Sequence, residues 1–238
     1  MNLKGIIPRT WRRLKRVLLV LLIAQFAYII LLKWVNPPIT ITQISSWASL
    51  WGTDKKLRKT WVSYDAISQY TKLAVIASED QLFTDHNGFD FKSIEKAMKH
   101  NQQSKKIKGA STISQQVAKN VFLWQGRSWL RKGLEVYFTF MIEKVWGKQR
   151  ILEVYLNVAE MGEGIFGVEA ASQANFHKSA SSLNQEESAM IAACLPNPIK
   201  YTITPPARIT IYRQRKILVQ MRNLAPDPDI IALISSKK

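Results

Sequence analysis

The chain has 238 residues, of which 47% are hydrophobic and 21% are charged. That length suits one or two ordinary domains, and the composition excludes a disordered, collagen-like or low-complexity chain. The single cysteine, Cys194, excludes an internal disulfide and a multi-cysteine metal site. The net charge of +17 predicts an anionic partner, with nucleic acid, phospholipid and a phosphorylated substrate all open at this point.

The first predicted element is a membrane-spanning helix over residues 17–35. Residues 17–32 carry no charge, and the segment has the length of about 17 to 25 residues that crosses a bilayer. A cleaved signal peptide is the alternative, but the apolar run is longer than usual for one and no small-residue cleavage pattern follows it. We therefore expect an uncleaved anchor.

The distribution of charge predicts the orientation of this anchor. Only Lys33 is basic between the apolar run and Lys55, whereas six basic residues precede the run: Lys4, Arg9, Arg12, Arg13, Lys15 and Arg16. The positive-inside rule then predicts a basic cytoplasmic tail over 1–16 and a body outside the cytoplasm. Because that tail holds six of the seventeen net positive charges, the body is itself basic, and an external anionic partner argues against nucleic acid.

The segment after the anchor is predicted to be mainly helical. Ile44, Trp47 and Trp51 form a short apolar stripe, which could pack on the domain or dip into the bilayer surface. From about Ile67 onward the apolar residues recur with helical spacing. Asn184 and Glu187 form a capping pattern before the apolar run AMIAACL, and there is no run of alternating strands and no internal repeat.

Two polar clusters are candidates for chemistry. In the first, Glu79 and Asp80 end an apolar helical stretch and His86 follows; a carboxylate leaving such a helix can have a raised pKa, although a helix-end Glu is more often a solvated group. His86 has no second histidine at metal-ligand spacing, which favours a structural role. In the second cluster, Ser111, Gln115 and Lys119 have the spacing of one helical face.

Basic residues follow this second cluster closely. Arg127, Arg131 and Lys132 add guanidinium and ammonium donors that suit phosphate oxygens. An ordinary solvated basic face has the same spacing, so the pattern alone leaves both readings open.

Taken together, the strings EDQLFTDHNGFD, GASTISQQVAKN, RKGLE and KQRILEVYLN resemble the motifs of bacterial peptidoglycan glycosyltransferases in order and spacing, from about Trp61 to Leu224. With one anchor and no transpeptidase domain after it, the chain is most similar to the monofunctional Gram-negative type. The resemblance implies a lysozyme-like, mainly helical domain over 61–238, with head and jaw lobes, behind a membrane-proximal linker or jaw segment over 36–60. It implies a single-pass protein of the inner membrane with its catalytic domain in the periplasm.

The resemblance also implies a reaction and roles for the residues. Lipid II would be polymerised into β-1,4-linked glycan with release of undecaprenyl pyrophosphate, and Glu79 would be the general base of an inverting displacement. Glu135 would be the second important glutamate, orienting basic side chains or holding a Mg²⁺ or Mn²⁺ ion at the pyrophosphate; no cofactor is certain. Asp80 and His86 would support the loop around Glu79. The substrate site would be formed by Ser111, Gln115, Gln116, Lys119, Asn120, Arg127, Arg131 and Lys132.

Further expectations and two alternatives accompany this interpretation. Glu153 and Asn157 are expected to brace the fold, and Gly162, Gly164 and Gly167 to form tight turns. The expected partners are lipid II, the growing glycan strand and the membrane, with divisome or penicillin-binding proteins as candidates. One alternative is a lytic transglycosylase or muramidase that cleaves glycan, and the other is a non-enzymatic membrane scaffold.

Overall fold

The computed structural model describes residues 6–104, 109–126 and 128–235, with side chains from Thr10 onward. The chain divides into two compact units, 1–37 and 38–238. The predicted boundaries after residues 16, 35 and 60 stay predictions.

The first unit contains one long apolar helix, α1 (Ile6–Leu31). Its segment Thr10–Leu31 has 22 residues and a mean hydropathy of 2.1, which by length and composition is sufficient to cross a membrane. The side chains from Val17 to Ile23 are exposed. The prediction of one apolar N-terminal helix is confirmed.

The second unit is mainly helical, as predicted. Its described helices are α2 (Ile41–Ser49), α3 (Gln69–Glu79), α4 (Phe91–Gln103), α5 (Ile113–Phe122), α6 (Trp129–Val145), α7 (Lys148–Val158), α8 (Val168–Phe176), α9 (Gln185–Cys194), α10 (Arg208–Leu224) and α11 (Pro228–Ser235).

Helix α3 is the central helix of one layer. It contacts α9, α10 and α11, and its residues from Thr71 to Ala77 are all buried, so it is surrounded by protein rather than amphipathic. The predicted cap of α9 is confirmed, since the Asn184 side chain accepts from Glu187 N and the Glu187 side chain accepts from Asn184 N. This packing places Glu79 at the end of a rigid helix.

Helix α5 belongs to a second layer, in contact with α2, α6 and α7. Helix α7 is held by two side chains that were expected to brace the fold. The Asn157 amide donates to Val62 O at 3.0 Å and accepts from Val62 N at 2.9 Å, and Glu153 accepts from Tyr64 N at 3.2 Å. These bonds fix the segment before α3 against α7.

A small sheet of three strands has the order β1 (Arg58–Lys59), β3 (Ile165–Phe166), β2 (Glu160–Gly162). Strand β3 pairs parallel with β1 and antiparallel with β2. Strands of two or three residues are too short to show an alternating pattern, which is why no strand was predicted from the sequence. Gly164 and Gly167 have φ of +70° and +82°, which agrees with the expected tight turns, whereas Gly162 is the last residue of strand β2 and has no positive φ.

Candidate active site

Glu79 is the last residue of the buried helix α3. Its carboxylate accepts from Ser78 Oγ at 3.1 Å and from Gln116 Nε2 at 2.9 Å. Burial raises the pKa of Glu79, while the hydrogen bonds from Gln116 and Ser78 and the positive charge of Arg213 act in the opposite direction. A raised pKa makes this carboxyl a better proton acceptor than an ordinary glutamate.

The first turn of α5 determines which side chain faces Glu79. Thr112 is the N-cap, and its hydroxyl accepts from Gln115 N while the Gln115 amide oxygen accepts from Thr112 N. Gln115 is consequently buried in the cap, and Gln116 reaches Glu79. The prediction that Ser111, Gln115 and Lys119 share one helical face is wrong, because α5 begins after Thr112 and Ser111 lies exposed before it.

Asp80 and His86 hold the loop that follows Glu79. Asp80 Oδ2 accepts from Ile113 N at 3.0 Å, and Asp80 Oδ1 lies 2.9 Å from His86 Nε2. Because His86 Nδ1 accepts from Gly88 N at 3.1 Å, the neutral ring carries its proton on Nε2 and donates to Asp80. This geometry agrees with the supporting role expected of both residues.

A cationic cluster surrounds the buried Glu135. Its carboxylate accepts from Arg131 NH1 at 2.6 Å and from Lys132 Nζ at 2.5 Å. Burial lowers the pKa of Lys119, as do Arg131 and Lys132, while Glu135 and Glu79 raise it. Lys119 is thus within electrostatic reach of both glutamates, and it forms no ion pair with any residue that the structure describes.

A cavity of about 530 Å³ lies beside part of this cluster. Gln116, Lys119 and Asn120 line it, together with serines of α2 and Pro196 and Pro198 after α9. Glu79 connects to the cavity through Gln116. Ser111, Gln115, Arg131 and Lys132 are not among its lining residues, and Arg127 lies outside the described residues.

The residues around Glu135 do not fit a protein-held divalent cation. Both carboxylate oxygens are engaged by cationic side chains, whereas Mg²⁺ requires free oxygen ligands. Within the described ranges, no three His, Cys, Asp or Glu residues are grouped so that they could hold a metal ion.

Three side chains of this region were not predicted from the sequence. Tyr155 lines the cavity and donates to Gln116 Oε1 at 3.2 Å. Arg213, on α10, donates from Nε to Ala193 O, and its positive charge lowers the pKa of Glu79. Glu160 also lines the cavity, accepts from Ser46 Oγ and Gly164 N, and has a pKa raised by burial. No local pattern indicates the contacts of Tyr155 with Gln116 or of Glu160 with Ser46, because each joins segments far apart in the chain.

Comparison with known proteins identifies a family to which this chain is similar. Residues 46–222 match the family model described as Transglycosylase. A protein of Bdellovibrio bacteriovorus is 46% identical over 91% of this chain and 89% of its own length. One of Escherichia coli is 54% identical over 78% of this chain and 77% of its own, and one of Pseudomonas entomophila is 44% identical over 95% and 97%. All three are named biosynthetic peptidoglycan transglycosylase.

Proposed function

Because the chain belongs to the transglycosylase family and is a peptidoglycan glycosyltransferase of cell-wall synthesis, we propose that it polymerises lipid II into β-1,4-linked glycan strands. The observation that carries the proposal is the position of Glu79. Its carboxyl has a pKa raised by burial and is hydrogen-bonded to Gln116, which lines the same cavity as Lys119. Undecaprenyl pyrophosphate is released at each addition.

The reaction is a single displacement at the anomeric carbon of the donor sugar. Glu79 accepts the proton of the acceptor 4-hydroxyl while that oxygen forms the new bond to the anomeric carbon. The bond from this carbon to the pyrophosphate oxygen breaks, and its electron pair leaves with the pyrophosphate. One displacement converts an α donor into a β product, so no covalent enzyme intermediate is needed.

The pyrophosphate gains charge as it leaves, and we assign Lys119 as the principal cation that meets it. Lys119 is free of ion pairs to described residues, whereas Arg131 and Lys132 are held by Glu135. Glu135 accordingly orients this pair. Any Mg²⁺ or Mn²⁺ would be held by pyrophosphate oxygens, which supply the free ligands that Glu135 lacks.

The remaining predicted residues have assigned places in the proposal. Gln116 and Asn120 line the cavity, and Gln115 orders the start of α5. Ser111 and Arg127 are assigned to substrate binding on the motif resemblance alone.

The apolar helix supports a place in the membrane beside a polyprenyl substrate. We propose a single-pass inner-membrane protein with a cytoplasmic N-terminus and a periplasmic catalytic domain, since the basic residues precede the helix. Tethering raises the effective concentration of enzyme and substrate. Divisome or penicillin-binding proteins are the proposed partners that would cross-link the product.

Glycan cleavage is the second candidate, because a carboxyl with a raised pKa can also act as an acid. Cleavage releases no pyrophosphate and requires no cation beside the leaving group. Synthesis is favoured by Lys119, which lines the cavity and forms no ion pair with a described residue, and by the names of the relatives.

Lipid II polymerisation by the full chain tests the proposal. We expect Glu79→Gln to make no polymer while still binding lipid II, and Lys119→Ala to lower turnover at least tenfold, or about 1.4 kcal/mol in the barrier. Lys216→Ala, an exposed lysine on α10, is the matched control and should retain full turnover. Shortening of preformed glycan without lipid II consumption would overturn the proposal in favour of cleavage.

A further inference from the structure

A chain of hydrogen bonds joins three elements at the base. The hydroxyl of Tyr155, on α7, donates to Gln116 Oε1 at 3.2 Å, and Gln116 Nε2, on α5, donates to Glu79 Oε2, on α3, at 2.9 Å. We propose that Tyr155 is a positioning residue, whose hydroxyl orients the Gln116 amide so that its NH₂ group faces the Glu79 carboxylate. The catalytic consequence rests on the proposed function of Glu79 as the base.

The two ends of an amide differ, and only one of them suits an ionised carboxylate. Gln116 Nε2 can donate to the carboxylate. If Oε1 took its place, an amide oxygen would face a carboxylate oxygen, and two acceptors cannot form a hydrogen bond. Without Tyr155 both orientations of the Gln116 amide are open, because rotation by half a turn exchanges its oxygen and nitrogen. A phenol hydroxyl donates more readily than it accepts, so Tyr155 favours the orientation that turns Oε1 toward itself.

The environment keeps Tyr155 a donor. Its side chain is 1% exposed, and burial raises the pKa of its hydroxyl well above the ordinary value, with the negative charge of Glu79 adding to the effect. The hydroxyl therefore keeps its proton across the pH range in which Glu79 titrates.

The orientation of Gln116 bears directly on the pKa of Glu79. Burial raises this pKa, and the hydrogen bond from Gln116 is the foremost influence that lowers it. The other groups that face Glu79 are Ser78 and Asp80 beside it, Lys119 on α5, Arg213 on α10 and the neutral thiol of Cys194 on α9. Because Tyr155→Phe leaves all of these in place, the variant isolates the effect of amide orientation.

A double-mutant cycle on the full chain tests the proposal. We expect Tyr155→Phe to lower kcat about threefold to tenfold at pH 7, with KM changed less, which is the loss expected for one hydrogen bond. The acid limb of the kcat–pH profile should move to higher pH, because the pKa of Glu79 rises. Tyr155→Phe should add no further loss to Gln116→Ala, because the hydroxyl acts through the amide.

The matched control is Tyr64→Phe. Tyr64 is also fully buried, and its hydroxyl donates to Leu233 O at 2.9 Å, away from the cavity. Its loss should lower thermal stability to an extent similar to Tyr155→Phe while leaving the pH profile unmoved. Additive losses in the cycle, or a raised KM with unchanged kcat in Tyr155→Phe, would overturn the positioning role.

A second measurement separates this proposal from the proposed function. The titration of Glu79 is followed by ¹³C NMR of the side-chain carboxyl in the substrate-free protein, with Glu79→Gln used to assign the signal. We expect its pKa to rise in Tyr155→Phe, and an unmoved titration overturns the proposal. A risen pKa with an unchanged kcat–pH profile would uphold the positioning role and contradict Glu79 as the base.

Discussion

Burial of the Glu79 carboxyl favours catalysis but lowers the stability of the folded protein. Burial raises the pKa of this carboxyl, and the hydrogen bonds from Ser78 and Gln116 and the positive charge of Arg213 only partly offset this effect. A buried charge that is incompletely compensated is a cost that a protein bears where function requires it.

We therefore expect Glu79→Gln to raise the thermal unfolding temperature at pH 8. A glutamate with a raised pKa in the folded state binds its proton more tightly when folded, so the folded state loses stability as the pH rises above about 4.3, the ordinary value. The loss is complete above the raised pKa of Glu79. Glutamine is neutral at every pH, and its amide oxygen can accept from Gln116 Nε2 while its NH₂ group donates to Ser78 Oγ.

Thermal unfolding of both proteins at pH 4 and pH 8 measures this difference. At pH 4 the two should unfold at similar temperatures, because the wild-type carboxyl is then largely protonated. A wild type that is as stable as the variant at pH 8 would mean that the carboxylate is fully compensated in the folded state.

At the scale of elements, local patterns predicted what depends on local contacts. The cap of α9 follows from residues three positions apart, and the structure confirms it. The periodicity that placed Ser111 on a helical face took no account of Thr112, whose side chain caps α5 so that the helix begins only at Ile113. The contact of Tyr155 with Gln116 joins residues 39 positions apart, and no periodicity in the sequence indicates it.

The turn before α8 is an element for which sequence and geometry agree, and it provides a further prediction. Gly167 has a φ of +82°, and a Cβ atom there would lie 2.7 Å from Asn157 O. We expect Gly167→Ala to lower the free energy of unfolding by at least about 2 kcal/mol, because positive φ and a backbone clash add together. Chemical denaturation measures the loss.

Gly133→Ala is the matched control for this substitution. Gly133 lies within α6 and is exposed, and a Cβ atom there would lie more than 4 Å from any atom beyond its chain neighbours and the nearby backbone of its own helix. Alanine there should stabilise the helix by about 0.5 to 1 kcal/mol. Equal effects of the two substitutions would show that the turn at Gly167 tolerates a side chain.

At the scale of the whole molecule, one cysteine makes the orientation testable. Cys194 is buried, and burial raises the pKa of its thiol to about 12, so it is expected to be inert to maleimides while the protein is folded. Maleimide labelling of a variant with one introduced cysteine therefore reports on that cysteine alone. Asn2→Cys reports on the basic tail and Asn223→Cys on the exposed end of α10.

We expect an impermeant maleimide to label Asn223→Cys in intact spheroplasts and Asn2→Cys only after lysis. The positive-inside rule is the physical reason, since the basic residues before the apolar helix resist translocation. The natural chain, treated identically, should remain unlabelled. The opposite pattern would place the cavity and Lys119 in the cytoplasm, on the wrong side of the membrane for a growing cell wall.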